Sequence, residues 1–287
     1  MLALVLLLAV TAVWGVTFVQ VKDAVAVYPL FAFLAVRFAV AGATLAPVAA
    51  LRLRRLGRDG LRAGTVLGLL LAGGYALQTA GLQRTTVSAT GFVNGLYVVL
   101  TPVLALLLFR LRSGPALWAG VVLATCGLAL LSGVSAGSPL GDLLVLAGAA
   151  AFALQIVLVE RWAPRFDAIA LTQVEMLAAL VAFLAVTLAL GDLAAPHGVT
   201  VWAAILVTGV FASALAFLVQ TWAQRRTSAT RVALVFAMEP VFAGVFGYAL
   251  ADDRLGWTGW AGCAVILLGI VVAEPAAGRT LRRLVRR

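Results

Sequence analysis

The residues able to do chemistry in this chain are polar side chains stranded in long apolar runs. Foremost is Glu239, followed by Pro240, at the centre of the run 232–247 (Val-Ala-Leu-Val-Phe-Ala-Met-Glu-Pro-Val-Phe-Ala-Gly-Val-Phe-Gly). A carboxylate at mid-bilayer depth is costly unless hydrated or paired, and a proline there frees a backbone carbonyl and bends the helix. The run is therefore either a kinked packing helix whose Glu bonds a neighbour or a bent helix lining a polar cavity. A counterpart in the first half favours the cavity: the run 96–108 carries Thr101-Pro102 in the same place. Pro102 and Pro240 are both expected to kink their helices.

Other polar residues fall inside apolar runs in the same way. They include Tyr75, Gln78 and Thr79, then Thr90, Asn94, Tyr97 and Thr101, then Gln155, Gln173, Glu175 and Gln220. Asn94, Tyr97 and Thr101 stand at i, i+3 and i+7, one face of a helix. Such a face lines a cavity or glues two helices by interhelical hydrogen bonds. Trp222, beside Gln220, reads as part of an interfacial aromatic belt. Arg37 and Glu175 lie 138 residues apart, as do Pro102 and Pro240. An unpaired arginine in lipid is expensive, so Arg37 is expected to have an acidic partner, Glu175 or Glu239; the expected intramembrane ion pair is Arg37–Glu175.

The available groups exclude several chemistries. No H-E-x-x-H or Walker A sequence occurs, and the only histidine, His197, sits in a Pro/Gly loop. Enzymatic catalysis and direct use of ATP are not expected. Cys126 and Cys263 lack C-x-x-C spacing and are expected to be small packing residues. No metal and no cofactor is called for. The net charge of +10 lies in short clusters between apolar runs, which is a topology signal and not a nucleic-acid footprint. The partners implied are a small-molecule substrate and the lipid bilayer, with no nucleic acid, and the chain is read as a monomer.

The elements that must hold these residues are membrane spans. Hydrophobic residues make up 64% and charged residues 11% of the 287, with a mean hydropathy of +1.11. Soluble domains have roughly half apolar and a quarter charged residues. The runs are about 20 residues long without strand-like alternation, which means helices. Ten segments can be marked: 4–21, 30–51, 63–82, 89–109, 116–134, 140–159, 168–190, 201–223, 232–251 and 257–273. Residues 1–13 have no basic start and run on into Trp14-Gly-Val-Thr-Phe, so they read as the first span and not a signal peptide. Alternate connectors carry most of the arginines, from Arg52–Arg62 through Arg225, Arg226 and Arg231 to the tail 279–287. The opposite side has Lys22, Arg84 and Arg254 among Asp23, Asp142, Asp192, Asp252 and Asp253. The positive-inside rule then puts both termini in the cytoplasm.

The two halves repeat. Trp118-Ala-Gly120 recurs as Trp260-Ala-Gly262, Gly127 recurs as Gly269, and Trp14 aligns with Phe152. The expected fold is an all-α membrane protein of ten transmembrane helices in two five-helix repeats, 1–136 and 137–287. Five spans is an odd number, so the repeats sit in opposite orientation. Inverted repeats place a binding site at their interface near the midplane and give alternating access.

Taken in order, Trp14-Gly15, Arg37, the Pro102 and Glu239-Pro240 helices and the Gly-rich fifth and tenth spans resemble the EamA branch of the drug/metabolite transporter superfamily. The resemblance covers essentially the whole chain. It implies a bacterial inner-membrane exporter of amino acids, other metabolites or drugs, with a central cavity lined by most spans except five and ten. One departure is Phe109-Arg-Leu-Arg-Ser, which lacks the acidic residue common after the fourth span; Asp252-Asp253 keeps it after the ninth. The residues expected to meet substrate are Trp14, Tyr75, Gln78, Asn94, Tyr97, Thr101, Gln155, Gln220 and Glu239. Glu239 is also the residue best placed to exchange a proton if transport is coupled to a gradient. The competing functions are a drug exporter of the same family and a structural or lipid-handling membrane protein.

Overall fold

The computed structural model describes residues 2–85, 87–132, 138–250 and 256–273. The loop acids Asp252 and Asp253, Arg254 and the basic tail 279–287 lie outside the described residues. Every regular element described is helical. In chain order these are α1 (Leu2–Val27), α2 (Leu30–Leu53), α3 (Gly57–Leu82), α4 (Val87–Gly95), α5 (Tyr97–Phe109), α6 (Pro115–Ser132) and α7 (Pro139–Trp162). They continue with α8 (Ala168–Leu190), α9 (Gly198–Gly209), α10 (Ala216–Gln224), α11 (Ala229–Phe236), α12 (Glu239–Leu250) and α13 (Trp257–Ala273). A π-helical turn, Val210–Leu215, joins α9 to α10 without a loop.

Leu107, Val181, Leu188 and Leu268 stand exposed on outer faces, as befits helices whose surrounding medium is hydrocarbon and whose backbone bonds are all internal. Six passages are long and apolar enough to cross a membrane. They are α2, α3, α4 with α5, α7 with the turn after it, α8, and α9 with α10. The two arms of α1, bent by 41°, make a seventh if counted as one pass. The apolar helix α13 and the stretch Pro115–Leu131 of α6 are shorter. The chain is a multi-pass membrane protein.

Three local expectations are corrected. The third helix starts at Gly57, not at residue 63. Gly57, its first residue, takes a positive φ of 70°, and Asp59 in the first turn complements the helix dipole. Arg58 and Arg62 therefore stand on a helix and not in a loop. The break in the 89–109 passage falls at Leu96, after Gly95, while Pro102 lies inside α5. In the matching passage the break falls at Ala237 and Met238, where Pro240 cannot donate to Phe236, the last residue of α11. Cys126 is exposed on α6 and is not a packing residue, whereas Cys263 is buried.

Glycines set close helix pairs. A Cβ on Gly120 would meet Gly269 O at 2.6 Å, and one on Gly127 would meet Gly262 O at 2.7 Å. Higher numbers on α6 thus meet lower numbers on α13, so the two helices cross antiparallel with backbones touching. Gly68 of α3 likewise leaves room for the carbonyl of Glu175, which brings α8 against α3.

Candidate functional site

The helices line a cavity of about 80 Å³. Helix periodicity selects its walls. Trp14, Thr17 and Val21 share one face of α1, and Tyr75, Gln78, Thr79 and Leu82 share one face of α3. Arg37 enters from α2, Asn94 and Tyr97 from either side of the α4–α5 break, and Phe152, Gln155 and Ile156 from α7. Phe217, Gln220, Phe236 and Glu239 complete the lining. Helices α6, α8, α9 and α13 contribute no lining residue.

Both broken passages present polar groups where their second arms begin. Tyr97 starts α5, Glu239 starts α12, and the Tyr97 hydroxyl donates to Glu239 Oε2 at 3.5 Å. The first turn of a helix favours a carboxylate, because its free N–H groups carry partial positive charge. Glu239 is 8% exposed and faces the cavity.

Arg37 supplies the cavity's positive charge. Its Nε–H donates to Ser213 Oγ at 2.8 Å, and Nη2 donates to the Tyr75 hydroxyl at 3.1 Å. The guanidinium carbon also lies 4.5 Å from the centre of the Tyr75 ring, close enough for a cation–π contact. Among the described residues the ion pairs are Arg52–Asp167 and Arg62–Asp59; Arg37 has no carboxylate within 4.0 Å. The expected Arg37–Glu175 pair is therefore not formed. Glu175 instead accepts from Gln155 Nε2 at 2.7 Å, its other oxygen is unpartnered, and it lines no part of the cavity.

Amides carry polarity from Glu175 to the cavity wall. Gln220 Nε2 donates to Gln155 Oε1 at 2.9 Å and to Gln224 Oε1 at 3.0 Å. Gln224 Nε2 then donates to Ile156 O at 2.7 Å. A carboxylate can only accept, so it turns the Gln155 amino group toward itself and the Gln155 carbonyl toward Gln220. Asn94 Oδ1 is buried without a partner beside this wall, an acceptor left open at the cavity. The remaining walls are aromatic. Trp14 lies 4.8 Å edge-on from Phe236 and 5.7 Å from Phe217, and Tyr75 lies 5.1 Å edge-on from Phe152.

Of the residues expected at the site, Trp14, Tyr75, Gln78, Asn94, Tyr97, Gln155, Gln220 and Glu239 surround this cavity. Thr101 does not: it is fully buried, and its hydroxyl donates to Tyr97 O at 2.7 Å. The break at Leu96 resets the helical register that had put it on the face of Asn94. Gln173 lies off the cavity with an unpartnered carbonyl oxygen, and Trp222 stacks on Arg226 instead of lining the site. Sequence reading missed Ser213 behind the lining and, within it, Thr17, Val21, Leu82, Phe152, Ile156, Phe217 and Phe236. A buried serine in an apolar run was signal enough for the first, but phenylalanines in such runs carry none.

The chain matches the family described as EamA-like transporters over residues 1–133 and 139–273. It is 32% identical over 275 residues to an uncharacterized transporter of Archaeoglobus fulgidus, covering 92% of this chain and 83% of that protein. It is 26% identical over 271 residues to the uncharacterized inner membrane transporter YedA of Escherichia coli K12, covering 93% and 88%. A crystal structure 21% identical in sequence shares the fold, with a TM-score of 0.79 over 97% of this chain and 98% of that one. Two matched halves, several membrane-crossing helices and a cavity among them lined by both polar and aromatic side chains identify the chain as a member of the EamA-like transporter family.

Proposed function

We propose that the chain exports small amphipathic metabolites, amino acids foremost, across the bacterial inner membrane. The observation that carries this is the charge pattern of the cavity. Arg37 faces it without a carboxylate within 4.0 Å, while Glu239 stands on the same wall system among Trp14, Phe152, Phe217 and Phe236. A zwitterion with an apolar side chain complements all three features: carboxylate for the cation, ammonium for the acid, side chain for the aromatic walls.

The mechanism we infer is alternating access between two inverted five-helix repeats. Support comes from the two family matches, whose starts are 138 residues apart, and from the antiparallel crossing of α6 and α13, the fifth helix of each expected repeat. The breaks at Leu96 and at Ala237–Met238 give each half a hinged helix at the cavity. In such an arrangement, rocking one half against the other exposes a central site first to one side and then to the other.

The test uses purified full-length protein. Thermal stability is measured against the free amino acids and their amides, since a ligand that binds the folded state raises Tm. Stabilisation by an apolar amino acid, lost when its carboxylate is amidated, is expected. A shift from apolar cations alone would favour a drug exporter. No shift from any zwitterion, and no flux of them into proteoliposomes, would sink the reading.

A further inference from the structure

Trp14 and Arg37 come from α1 and α2, yet both are anchored on the π-helical turn Val210–Leu215. In a π-turn each amide bonds the carbonyl five residues back, and one extra residue is held within the helix. Ala216 N–H follows this rule by donating to Phe211 O. Two groups of the turn reach across to the other helices. Ala212 O accepts the Trp14 indole N–H at 2.8 Å, and Ser213 Oγ accepts Arg37 Nε–H at 2.8 Å. Ala212, Ser213 and Ala214 are all buried. Just before the turn, a Cβ on Gly209 would meet Arg37 O at 2.9 Å, so the close approach to α2 needs glycine there.

Using a hydroxyl as the acceptor has a consequence. Arginine has five donors in a rigid fork. A carboxylate on Nε would fix the fork but cancel its charge, whereas a serine fixes it and leaves the charge uncompensated. With Nε on Ser213 and Nη2 on Tyr75, no hydrogen bond to Nη1 is present among the described residues.

We propose that Ser213, delivered by the π-turn, is the positioning residue of Arg37: it holds the guanidinium by its Nε edge and leaves the Nη edge to receive a carboxylate in the cavity. The carboxylate rests on the reading of the cavity as an amino-acid site; the positioning does not. Ser213 touches neither solute nor cavity. It acts through Arg37, and the turn adjusts the span so that serine meets the second helix.

The experiment compares wild type, Ser213→Ala and Ser213→Thr as full-length protein in nanodiscs. The Arg37 Nε–Hε resonance, assigned by its disappearance in Arg37→Lys, is followed by hydrogen exchange. It is expected to be protected in wild type and Ser213→Thr, and fast-exchanging in Ser213→Ala. The same proteins are titrated with L-phenylalanine and L-phenylalaninamide by thermal shift. Ser213→Ala is expected to weaken phenylalanine about tenfold, as befits losing a hydrogen bond to a charged group. Binding of the amide should be unchanged, and Ser213→Thr should restore phenylalanine. Equal exchange protection in wild type and Ser213→Ala would overturn the proposal, as would unchanged phenylalanine affinity in a Ser213→Ala protein whose Arg37→Leu counterpart no longer binds. If wild type ignores phenylalanine and the other amino acids, the amino-acid reading and the carboxylate fall together, and the exchange data alone decide whether Ser213 positions Arg37.

Discussion

Arg37 and Glu175 occupy matching positions 138 residues apart, and they do not pair. Arg37 is held by Ser213 and Tyr75, and Glu175 by Gln155. One side chain is thereby turned to the cavity and the other is bonded into an amide chain behind it. A cation and an acid, Arg37 and Glu239, thus line one cavity without pairing: each is bonded to a neutral tyrosine or serine hydroxyl.

Double-mutant cycles on unfolding stability should reflect this arrangement. Arg37→Leu and Glu175→Gln are expected to add to within about 0.5 kcal/mol, as groups without a shared bond do. Glu175→Gln with Gln155→Ala should instead show a coupling of about 0.5–3 kcal/mol. A strong Arg37–Glu175 coupling beside an absent Glu175–Gln155 coupling would contradict the observed bonding.

The lesson for sequence reading lies in these residues. Composition and run length pointed to membrane-crossing helices, because lipid leaves an unpaired backbone no alternative; of the ten expected segments, six coincide with helices long and apolar enough to cross among the described residues, or seven with the bent α1. Intramembrane amides and hydroxyls pointed to the cavity in part: Tyr75, Gln78, Thr79, Asn94, Tyr97, Gln155 and Gln220 line it, whereas Thr90, Thr101 and Gln173 do not. The Arg37–Glu175 pair was misread because equal positions in a repeat imply similar surroundings, not adjacency. Thr101 was misread because i, i+3, i+7 spacing assumes an unbroken helix, and the break at Leu96 is not written in any single residue. Ser213 reaches Arg37 only through a π-turn, which no periodicity announces.

Helix contact between α6 and α13 should be intolerant of size. Gly127→Val places a branched side chain where Gly262 O and Ile266 stand within 2.8 Å of a Cβ. A cost of about 1–3 kcal/mol is expected, by forced overpacking. Gly73→Ala, where a Cβ meets nothing within 4 Å in α3, should be neutral or stabilising by up to about 1 kcal/mol. The check is thermal unfolding in detergent, and equal losses in both variants would contradict the crossing.

Acid sensitivity should appear at the connector before α8. Burial pushes the Asp167 carboxyl up, but the Ala170 N–H and the hydrogen bond and charge of Arg52 outweigh it and hold it below the usual carboxylate range. A carboxylate whose folded value is depressed contributes stability above its unfolded value near pH 4, and loses it as pH falls through the folded value. Asp167→Asn should flatten stability across that acid window while keeping an acceptor for the α8 cap. Asp167→Ala should cost about 0.5–2 kcal/mol at neutral pH through the lost cap. Unfolding midpoints against pH decide it: an unchanged acid slope in Asp167→Asn assigns the dependence elsewhere.

Glu239 is the remaining group whose charge the cavity can use. It begins α12 just after the break at Ala237–Met238, and Tyr97, which begins α5 just after the break at Leu96, donates to it. Movement of either arm must stretch or release that 3.5 Å bond. Glu239→Gln retains size and an acceptor for Tyr97 but removes the charge and the exchangeable carboxyl proton. If coupling runs through this residue, flux in proteoliposomes should lose its pH dependence while thermal unfolding stays close to wild type. Tyr97→Phe removes the donor and leaves the carboxyl, so it should slow transport severalfold, as losing one hydrogen bond of about 1 kcal/mol does, and keep the pH dependence. Unchanged flux and unchanged pH dependence in Glu239→Gln would leave the carboxyl a structural latch between the two hinges, and the Tyr97→Phe rate would then report the strength of that latch.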